Sequence, residues 1–231
     1  MTRDWHSWHR EYEDPASSLS RRLEEVRIRL AALLEVGTGP VRLLSLCAGD
    51  GRDTIPVLVG SERHIETVLV ELDQELGEAA GAAARAAGVD VDVRTRDAGL
   101  VAAWSDILPV DVLMLCGVFG NVADADVERT VTAARSMLSS GGAVIWTRGH
   151  RVPDDPHPIR SGPGPSDPIP SDPIPSGQAD PAEWVRGLFT AGGFEEVAFV
   201  KPADASFRVG VARLATPSDA PLPERLFSFS R

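Results

Sequence analysis

Two stretches of the chain hold residues that could bind a nucleoside. The first covers residues 41–53, an apolar run followed by a turn that contains Gly49 and Gly51. Apolar residues resume at Ile55, and the pattern predicts a buried parallel strand, a tight turn and the start of a helix. Glycine permits positive φ angles and lets a ligand approach the backbone, and a helix start offers unpaired N–H groups to that ligand.

The second stretch is an apolar run, Val68-Leu69-Val70, that ends at Glu71. A carboxylate at the end of a second strand, roughly twenty residues after a glycine turn, is placed to accept hydrogen bonds from both ribose hydroxyls of a nucleoside. The same residue could be a solvated acid at a strand end. The glycine turn upstream favours the ribose interpretation.

Four sequence runs, taken in order, resemble the motifs of class I S-adenosylmethionine-dependent methyltransferases. They are LLSLCAGDGRD, VLVELDQELGEAA, RDA at residues 96–98 and DVLMLCGVFGNV from residue 111. The resemblance is close over residues 41–150 and looser to residue 215. The chain departs from the family's usual pattern at Cys47, where a first glycine is most common, and at Ser45, where an acid is common.

The resemblance implies an α/β fold with a Rossmann-like, doubly wound, seven-stranded and mostly parallel sheet whose last strand is antiparallel. An N-terminal helical lid is expected to precede the sheet. We expect a single methyltransferase domain over residues 1–231. Its parts are an aromatic segment and helix (1–36), a cofactor-binding half (37–150), a proline-rich insertion (152–180) and a C-terminal helix with closing strands (181–231).

The resemblance also implies S-adenosylmethionine as cofactor. Asp97 would accept a hydrogen bond from the adenine amino group, with the Ala98 N–H beside the ring. Asp97 could instead cap a helix over residues 99–104, and both roles can coexist. The full set of candidate cofactor-binding residues is Tyr12, Cys47, Ala48, Gly49, Asp50, Gly51, Glu71, Leu72, Asp97, Ala98, Cys116, Gly117 and Asn121.

Both cysteines fall within the motifs. In the family's strand order the first and fourth strands are neighbours, so Cys47 and Cys116 would lie side by side beneath the cofactor. A catalytic thiol is one interpretation, and a small apolar residue in the core is the commoner one. The loop after Cys116 lacks the Asn/Asp-Pro-Pro-aromatic sequence of amino-methylating DNA enzymes and the Pro-Cys of cytosine-carbon methylation.

An aromatic segment, WHSWHREYE, covers residues 5–13 and holds two of the five tryptophans and the only tyrosine. It could be a cap on the edge of the core. It could also be a lid over the methyl donor, since the segment before the first strand often covers the cofactor in the resembling family. The candidates for such a lid are Trp5, Trp8, His9 and Tyr12, and Tyr12 could hydrogen-bond the donor's carboxylate.

Residues for catalysis and for the methyl acceptor are less strongly indicated. Methyl transfer to a hydroxyl or a protonated amine needs a base, for which His9 and His150 are the candidates. The fifth strand ends near Arg148, where many relatives hold substrate, although a surface-loop role fits it equally well. Candidate substrate-binding residues are Trp5, Trp8, Phe119 and Arg148.

Several elements are predicted from local signals. Asp14-Pro15 is typical of a helix start, and Leu19, Val26 and Leu30 recur on one face of that helix, with arginines and glutamates on a solvated face. Further predictions are a third strand over residues 89–93, a helix capped by Asp124 and carrying Leu138, a fifth strand over 143–146 after a Gly141-Gly142 turn, and an antiparallel pair over 194–200 and 206–214.

The insertion over residues 153–181 differs in composition from the rest. It holds more than half of the 18 prolines and a direct repeat, SDPIP, at 166–170 and 171–175. Proline removes backbone donors, so an extended or mobile loop is expected. A neutral insertion is the stronger interpretation, and proximity to the substrate mouth keeps a functional role open.

Charge and composition limit the partners. The formal net charge is -11 and the pI about 4.9, without a long basic run, so DNA or RNA is disfavoured as substrate. No apolar stretch reaches the length of a membrane span, so no membrane partner is expected. Two cysteines and no signal sequence indicate a reducing, cytoplasmic location. No metal site is predicted, and the oligomeric state stays open.

The function expected from these observations is transfer of a methyl group from S-adenosylmethionine to a small-molecule acceptor, by O- or N-methylation. Two alternatives remain. The chain could be a non-catalytic S-adenosylmethionine-binding scaffold, or it could methylate a protein.

Overall fold

The computed structural model describes residue 12, residues 14–149 and residues 180–229. In this part of the chain the strands are β1 Val41–Leu46, β2 Ile65–Glu71, β3 Asp92–Thr95, β4 Val110–Leu115, β5 Leu138–Gly149, β6 Phe194–Val200 and β7 Phe207–Leu214. The helices are α1 Ser18–Leu34, α2 Ile55–Val59, α3 Gln74–Ala87, α4 Asp124–Met137 and α5 Pro181–Ala191, and two 3-10 turns cover Val101–Ala103 and Ser105–Ile107.

The seven strands form one sheet in the order β3-β2-β1-β4-β5-β7-β6. Strands β1 to β5 pair in parallel, and β7 runs antiparallel to both of its neighbours, β5 and β6. The expected fold class is therefore confirmed. The chain order reverses between β1 and β4, and an open α/β sheet binds ligands beyond the carboxyl ends of the strands at that point.

Helices cover both faces of the sheet, because the parallel strands bury side chains on both sides. On one face, Val26 and Leu30 of α1 pack with Leu43 and Met114. On the other face, α4 and α5 pack on the side chains that alternate with these, such as Leu44 of β1. Among the described residues, no helix has the length and apolarity that crossing a membrane requires.

Helix α1 begins later than the sequence predicts. Ser17 is its N-cap, and the Ser17 side chain accepts a hydrogen bond from the Ser20 N–H at 3.0 Å. The Asp14 side chain accepts from the Ala16 N–H instead, and the Asp14 carbonyl accepts from the Ser17 N–H. Asp14 therefore closes the turn before the helix, and the prediction that it caps the helix is wrong.

The third strand is shifted along the chain relative to the prediction. It pairs with β2 from Asp92, opposite Val68, to Thr95, opposite Glu71. Val89 is not in it, because the Val89 N–H still bonds to the Ala84 carbonyl at the end of α3.

Three predictions around α4 and β5 are also wrong. Asp124 is the first residue of the helix, and Ala123 is the N-cap without a side-chain hydrogen bond. Leu138 belongs to β5, where it pairs with Val110, so β5 includes Gly141-Gly142 rather than starting after it.

The two ends of the proline-rich insertion lie next to each other. Before it, Arg148 of β5 pairs with Arg208 of β7. After it, the Asp180 carboxylate accepts from Arg208 Nε at 3.0 Å, and both of these side chains are buried. Asp180 also caps α5, since its side chain accepts a hydrogen bond from the Ala182 N–H. Residues 150–179 lie outside the described residues.

We expect deletion of residues 161–177 to leave the melting temperature nearly unchanged. The described residues on either side of the insertion, Arg148 and Asp180, both lie beside Arg208, and the entropy of loop closure varies only slowly with loop length. Thermal unfolding checks this, with Asp180→Ala as the comparison. That variant leaves Arg208 without its buried carboxylate partner and should lose about 3–5 kcal/mol of stability. A deletion as destabilising as Asp180→Ala would show that the insertion packs on the domain.

Candidate functional site

A cavity of about 210 Å³ lies at the carboxyl ends of β1 to β4, at the point where the chain order reverses. All the predicted cofactor-binding residues line it except Gly51 and Asn121. The cavity is also lined by residues that were not predicted from the sequence: Arg22, Leu23, Val26, Arg52, Asp53, Leu76 and Phe229. Small-molecule sites usually have a volume of about 300–1,000 Å³, so this cavity is smaller than usual. A ligand larger than the cavity would project beyond these residues or displace side chains.

The turn after β1 exposes its backbone to the cavity. Gly49 and Gly51 have φ angles of 58° and 72°, in the region that glycine adopts at least cost. A Cβ at Gly51 would lie 2.6 Å from Ile55 Cδ1, so this glycine lets the turn pack against α2. The role of Gly51 is thus to shape the turn, while Gly49 and Ala48 face the cavity.

Glu71 fixes this turn to the end of β2. Its Oε2 accepts from the Gly49 N–H at 2.8 Å, and its Oε1 accepts from the N–H groups of Leu72 and Asp73 at 2.9 Å each. An ionised carboxylate has about four acceptor positions. One acceptor position therefore remains for a ribose hydroxyl. To accept from both ribose hydroxyls, Glu71 would have to use one position for a hydroxyl and a backbone N–H together.

Asp97 is held from two sides at the end of β3. Its Oδ1 accepts from the Gly99 N–H at 2.9 Å, and its Oδ2 accepts from Arg225 Nη1 at 2.8 Å. The first bond closes the turn before the 3-10 turn at Val101–Ala103, in place of the expected helix over residues 99–104. The prediction that Asp97 caps a helix is therefore wrong, because Leu100 is the N-cap of the 3-10 turn. Asp97 lines the cavity beside Ala98, which is compatible with the adenine role expected for it.

A buried arginine lies at the α1 side of the cavity. Arg22 is 7% exposed, and its Nη2 donates to the Tyr12 hydroxyl at 2.9 Å. Arg52 lies over the Tyr12 ring, with 4.3 Å between Cζ and the ring centroid. The predicted solvated face of α1 is therefore wrong for Arg22. The missed signal is its spacing, since position 22 shares a helix face with Leu19 and Val26.

The Asp53 carboxyl and the Tyr12 phenol both have a raised pKa, which favours their neutral forms. Burial raises the pKa of Asp53, while the nearby Arg22 charge acts in the opposite direction. Burial likewise raises the pKa of Tyr12, again opposed by Arg22. The Arg22 charge thus offsets the cost of burying anionic groups at this end of the cavity.

The cysteines line the cavity as neutral thiols. Burial raises the pKa of Cys47, with contributions from Glu71 and Asp97, and burial raises that of Cys116. An activated thiol needs a lowered pKa, so a small apolar role is favoured over catalysis. Cys47 packs with the core cluster on the α4 face and Cys116 with that on the α1 face. Both line the cavity just beyond the ends of the neighbouring strands β1 and β4.

Three predicted residues lie away from the cavity. The Asn121 side chain donates to the Gly117 carbonyl at 2.6 Å and so holds the loop after β4. Phe119 is fully buried between Trp146 and Phe189, with 6.4 Å between ring centroids in each pair, so it fills the core. Arg148 donates to the Phe119 carbonyl, so its side chain lies beside this buried aromatic cluster and not in the cavity.

The predicted residues Trp5, Trp8, His9 and His150 lie outside the described residues. Of the candidate lid, Tyr12 is described, and it lines the cavity. The first turns of α1 line it too, through Arg22 and Leu23, so the chain enters the domain at the carboxyl edge of the sheet. The described residues contain no group of three or more His, Cys, Asp or Glu side chains that could hold a metal ion.

Comparison with known proteins identifies the fold. No family profile and no curated protein sequence matches the chain. Magnesium protoporphyrin IX methyltransferase (ChlM) from Synechocystis, solved with bound SAM, superposes with a TM-score of 0.61 at 13% identity over 91% of this chain and 90% of that one. A SAM-dependent methyltransferase from Aquifex aeolicus gives 0.55 at 11% identity over 81% and 89%. The [4+2]-cyclase SpnF gives 0.54 at 19% identity over 81% of each chain.

The chain therefore has the fold of class I S-adenosylmethionine-dependent methyltransferases. The expected resemblance is confirmed at the level of fold. The neighbours include a protein named as a cyclase, so the fold leaves the reaction to be argued from the site.

Cys47 offers a test of the backbone geometry of the site. Its φ angle is 61°, and it is the non-glycine residue with positive φ among those described. We expect Cys47→Gly to be more stable than Cys47→Ala by about 1 kcal/mol, because the left-handed conformation costs a residue with a Cβ roughly 1–2 kcal/mol and the flexibility of glycine in the unfolded chain offsets part of this.

Urea unfolding of the two variants measures this difference, and both lack the thiol. The control compares the wild type, with Ala48 at the next position, with the Ala48→Gly variant. Ala48→Gly should destabilise the protein, because Ala48 does not have a positive φ angle. Equal stability of the two Cys47 variants would contradict the assigned backbone conformation.

Proposed function

We propose that the protein transfers a methyl group from S-adenosylmethionine to a small-molecule acceptor. The observation that carries the proposal is the position of Glu71, which three backbone N–H groups fix at the switch point of the sheet beside the Gly49 turn. A carboxylate held in this way is prepared to accept from a ribose hydroxyl without reorganising.

The other cavity residues fit the remaining parts of the cofactor. Asp97 and Ala98 lie at the β3 side, where an adenine amino group would find an acceptor. Arg22 and Tyr12 lie at the α1 side, where a buried cation and a hydroxyl suit the carboxylate of the methionine part. The cavity thus has an acceptor for the base and ribose and a cation for the amino-acid end.

The cofactor supplies an activated methyl group on a sulfonium when it is bound. The chain contributes alignment, since the turn at Gly49 and the loop at Gly117 face the same cavity from β1 and β4. Positioning of two reactants can lower a barrier by roughly 7–11 kcal/mol. The neutral thiols of Cys47 and Cys116 add apolar lining without a competing nucleophile.

The acceptor is proposed to be a small molecule that is methylated on an oxygen or a nitrogen atom. The net charge of -11 disfavours a nucleic acid substrate. Histidine is absent from the described cavity lining, so the candidates for a base stay His9 and His150. A cytoplasmic location stays our expectation from the sequence.

The proposal predicts methyl transfer that depends on Glu71. Incubation with S-adenosylmethionine and a panel of hydroxyl- and amine-bearing metabolites should yield a methylated product and S-adenosylhomocysteine, both detected by mass spectrometry. Glu71→Ala should weaken cofactor binding by about tenfold or more, since loss of a buried acceptor costs roughly 1–3 kcal/mol. Glu78→Ala, an exposed acid on α3, is the matched control and should bind as the wild type does.

Two outcomes would contradict the proposal. Tight cofactor binding without transfer to any acceptor class, including proteins, would favour a non-catalytic scaffold. An unchanged dissociation constant in folded Glu71→Ala would remove the ribose assignment.

The assignment of Arg22 has its own test. We expect Arg22→Met to weaken S-adenosylhomocysteine binding by about 10- to 100-fold, because a hydrogen bond to a charged group contributes roughly 1.5–3 kcal/mol. Binding of 5′-methylthioadenosine, which lacks the amino acid, should stay unchanged. Arg21→Met is the control, since Arg21 makes an exposed pair with Asp204. Calorimetric titration measures the dissociation constant of each ligand for each of the two variants. Equal weakening of the binding of both ligands by Arg22→Met would refute the carboxylate role.

A further inference from the structure

The chain continues after β7 and returns to the cavity as a C-terminal strap, residues 224–229. The strap is bonded to the segment after β3. The Val101 N–H donates to the Glu224 carbonyl at 3.0 Å, and the Leu226 N–H donates to the Gly99 carbonyl at 2.8 Å. These bonds place the strap directly beside Asp97 and Ala98, at the expected adenine end of the cavity.

The strap is packed as part of the core. Leu226 and Phe227 are fully buried, and Arg129 of α4 donates to the Leu226 carbonyl at 3.1 Å. A Cβ at Gly99 would lie 2.1 Å from the Phe227 carbonyl oxygen, so the approach of the strap requires glycine there. The Ser228 N–H adds a bond to the Asp126 carboxylate at 2.9 Å. The strap is therefore fixed on both sides of the cavity edge.

Arg225 connects the strap to the acid expected to recognise adenine. Its Nη1 donates to Asp97 Oδ2 at 2.8 Å and to the Phe227 carbonyl at 3.2 Å. Together with the Gly99 N–H on Oδ1, this bond sets the orientation of the Asp97 carboxylate. Each carboxylate oxygen keeps a second acceptor position, so an exocyclic amino group can still donate to it.

Phe229 brings an aromatic ring to the same place. It lines the cavity with Ala98 and Gly117, and its backbone bridges to Val122 in the loop after β4. Its ring lies edge-on to Phe227, with 5.9 Å between centroids. A buried ring thus supports a half-buried one that faces the cavity, which is the arrangement that a planar base needs for stacking.

We propose that the C-terminal strap completes the nucleoside subsite. Phe229 supplies the stacking surface for the base, and Arg225 is a positioning residue that orients Asp97 toward its amino group. This inference rests on the proposed function, because it takes the cavity to bind an adenine nucleoside. It assigns part of the cofactor affinity to residues that lie beyond the last strand of the sheet.

Titration with adenosine and S-adenosylhomocysteine tests the proposal. Phe229→Ala should weaken both ligands by the same factor, roughly tenfold, as loss of stacking on an aromatic side chain does. Phe229→Tyr should restore binding, because it keeps the ring. Arg225→Met should weaken both ligands and leave the ring in place. Glu224→Ala, an exposed change within the strap, is the control and should bind as the wild type does.

Each outcome decides a separate point. A lower melting temperature with unchanged dissociation constants in Phe229→Ala and Arg225→Met would show that the strap is only structural and would overturn the proposal. Should Phe229→Ala fail to fold, Phe229→Leu replaces it, and full affinity in that variant would also overturn the stacking role. If wild type binds adenosine but not S-adenosylhomocysteine, the proposed function fails while a loss of adenosine binding in Phe229→Ala still supports the strap. If wild type binds neither, both fail.

Discussion

The hydrogen bond from the Gly49 N–H to Glu71 Oε2 is the interaction on which the arrangement of the site depends. It joins the turn after β1 to the end of β2, and the parallel register that places Leu46 opposite Val70 makes it possible. Because Gly49 adopts a positive φ, its N–H can face the carboxylate. The same bond holds Glu71 in the cavity, where the order of the strands reverses.

Around this fixed centre, both ends of the described chain contribute to the cavity. Helix α1 brings Arg22 and Tyr12 to one end, and the C-terminal strap brings Arg225 and Phe229 to the other. The buried cation Arg22 therefore lies at the α1 end of the cavity, and Asp97, held by Arg225, lies at the β3 end.

The part of the site that local sequence encodes could be predicted, and the part made by distant residues could not. The turn at Gly49 and the acid at Glu71 follow from short patterns of apolar residues and glycine, and the strand over residues 194–200 has the predicted bounds. Arg225 pairs with Asp97 across 128 residues, and no local pattern reports such a pairing. Phe119 is a predicted substrate-binding residue, but its side chain turns into the core, where Trp146 and Phe189 pack on it.

The crystal structure of the protein grown with S-adenosylhomocysteine tests the central claim most directly. The account predicts electron density for the ligand in the cavity, with a ribose hydroxyl within hydrogen-bonding distance of Glu71 Oε2 and the Gly49 bond retained. It also predicts the adenine beside Asp97 and the carboxylate beside Arg22. A ligand bound elsewhere, or bound in this cavity with its ribose away from Glu71, would contradict the account.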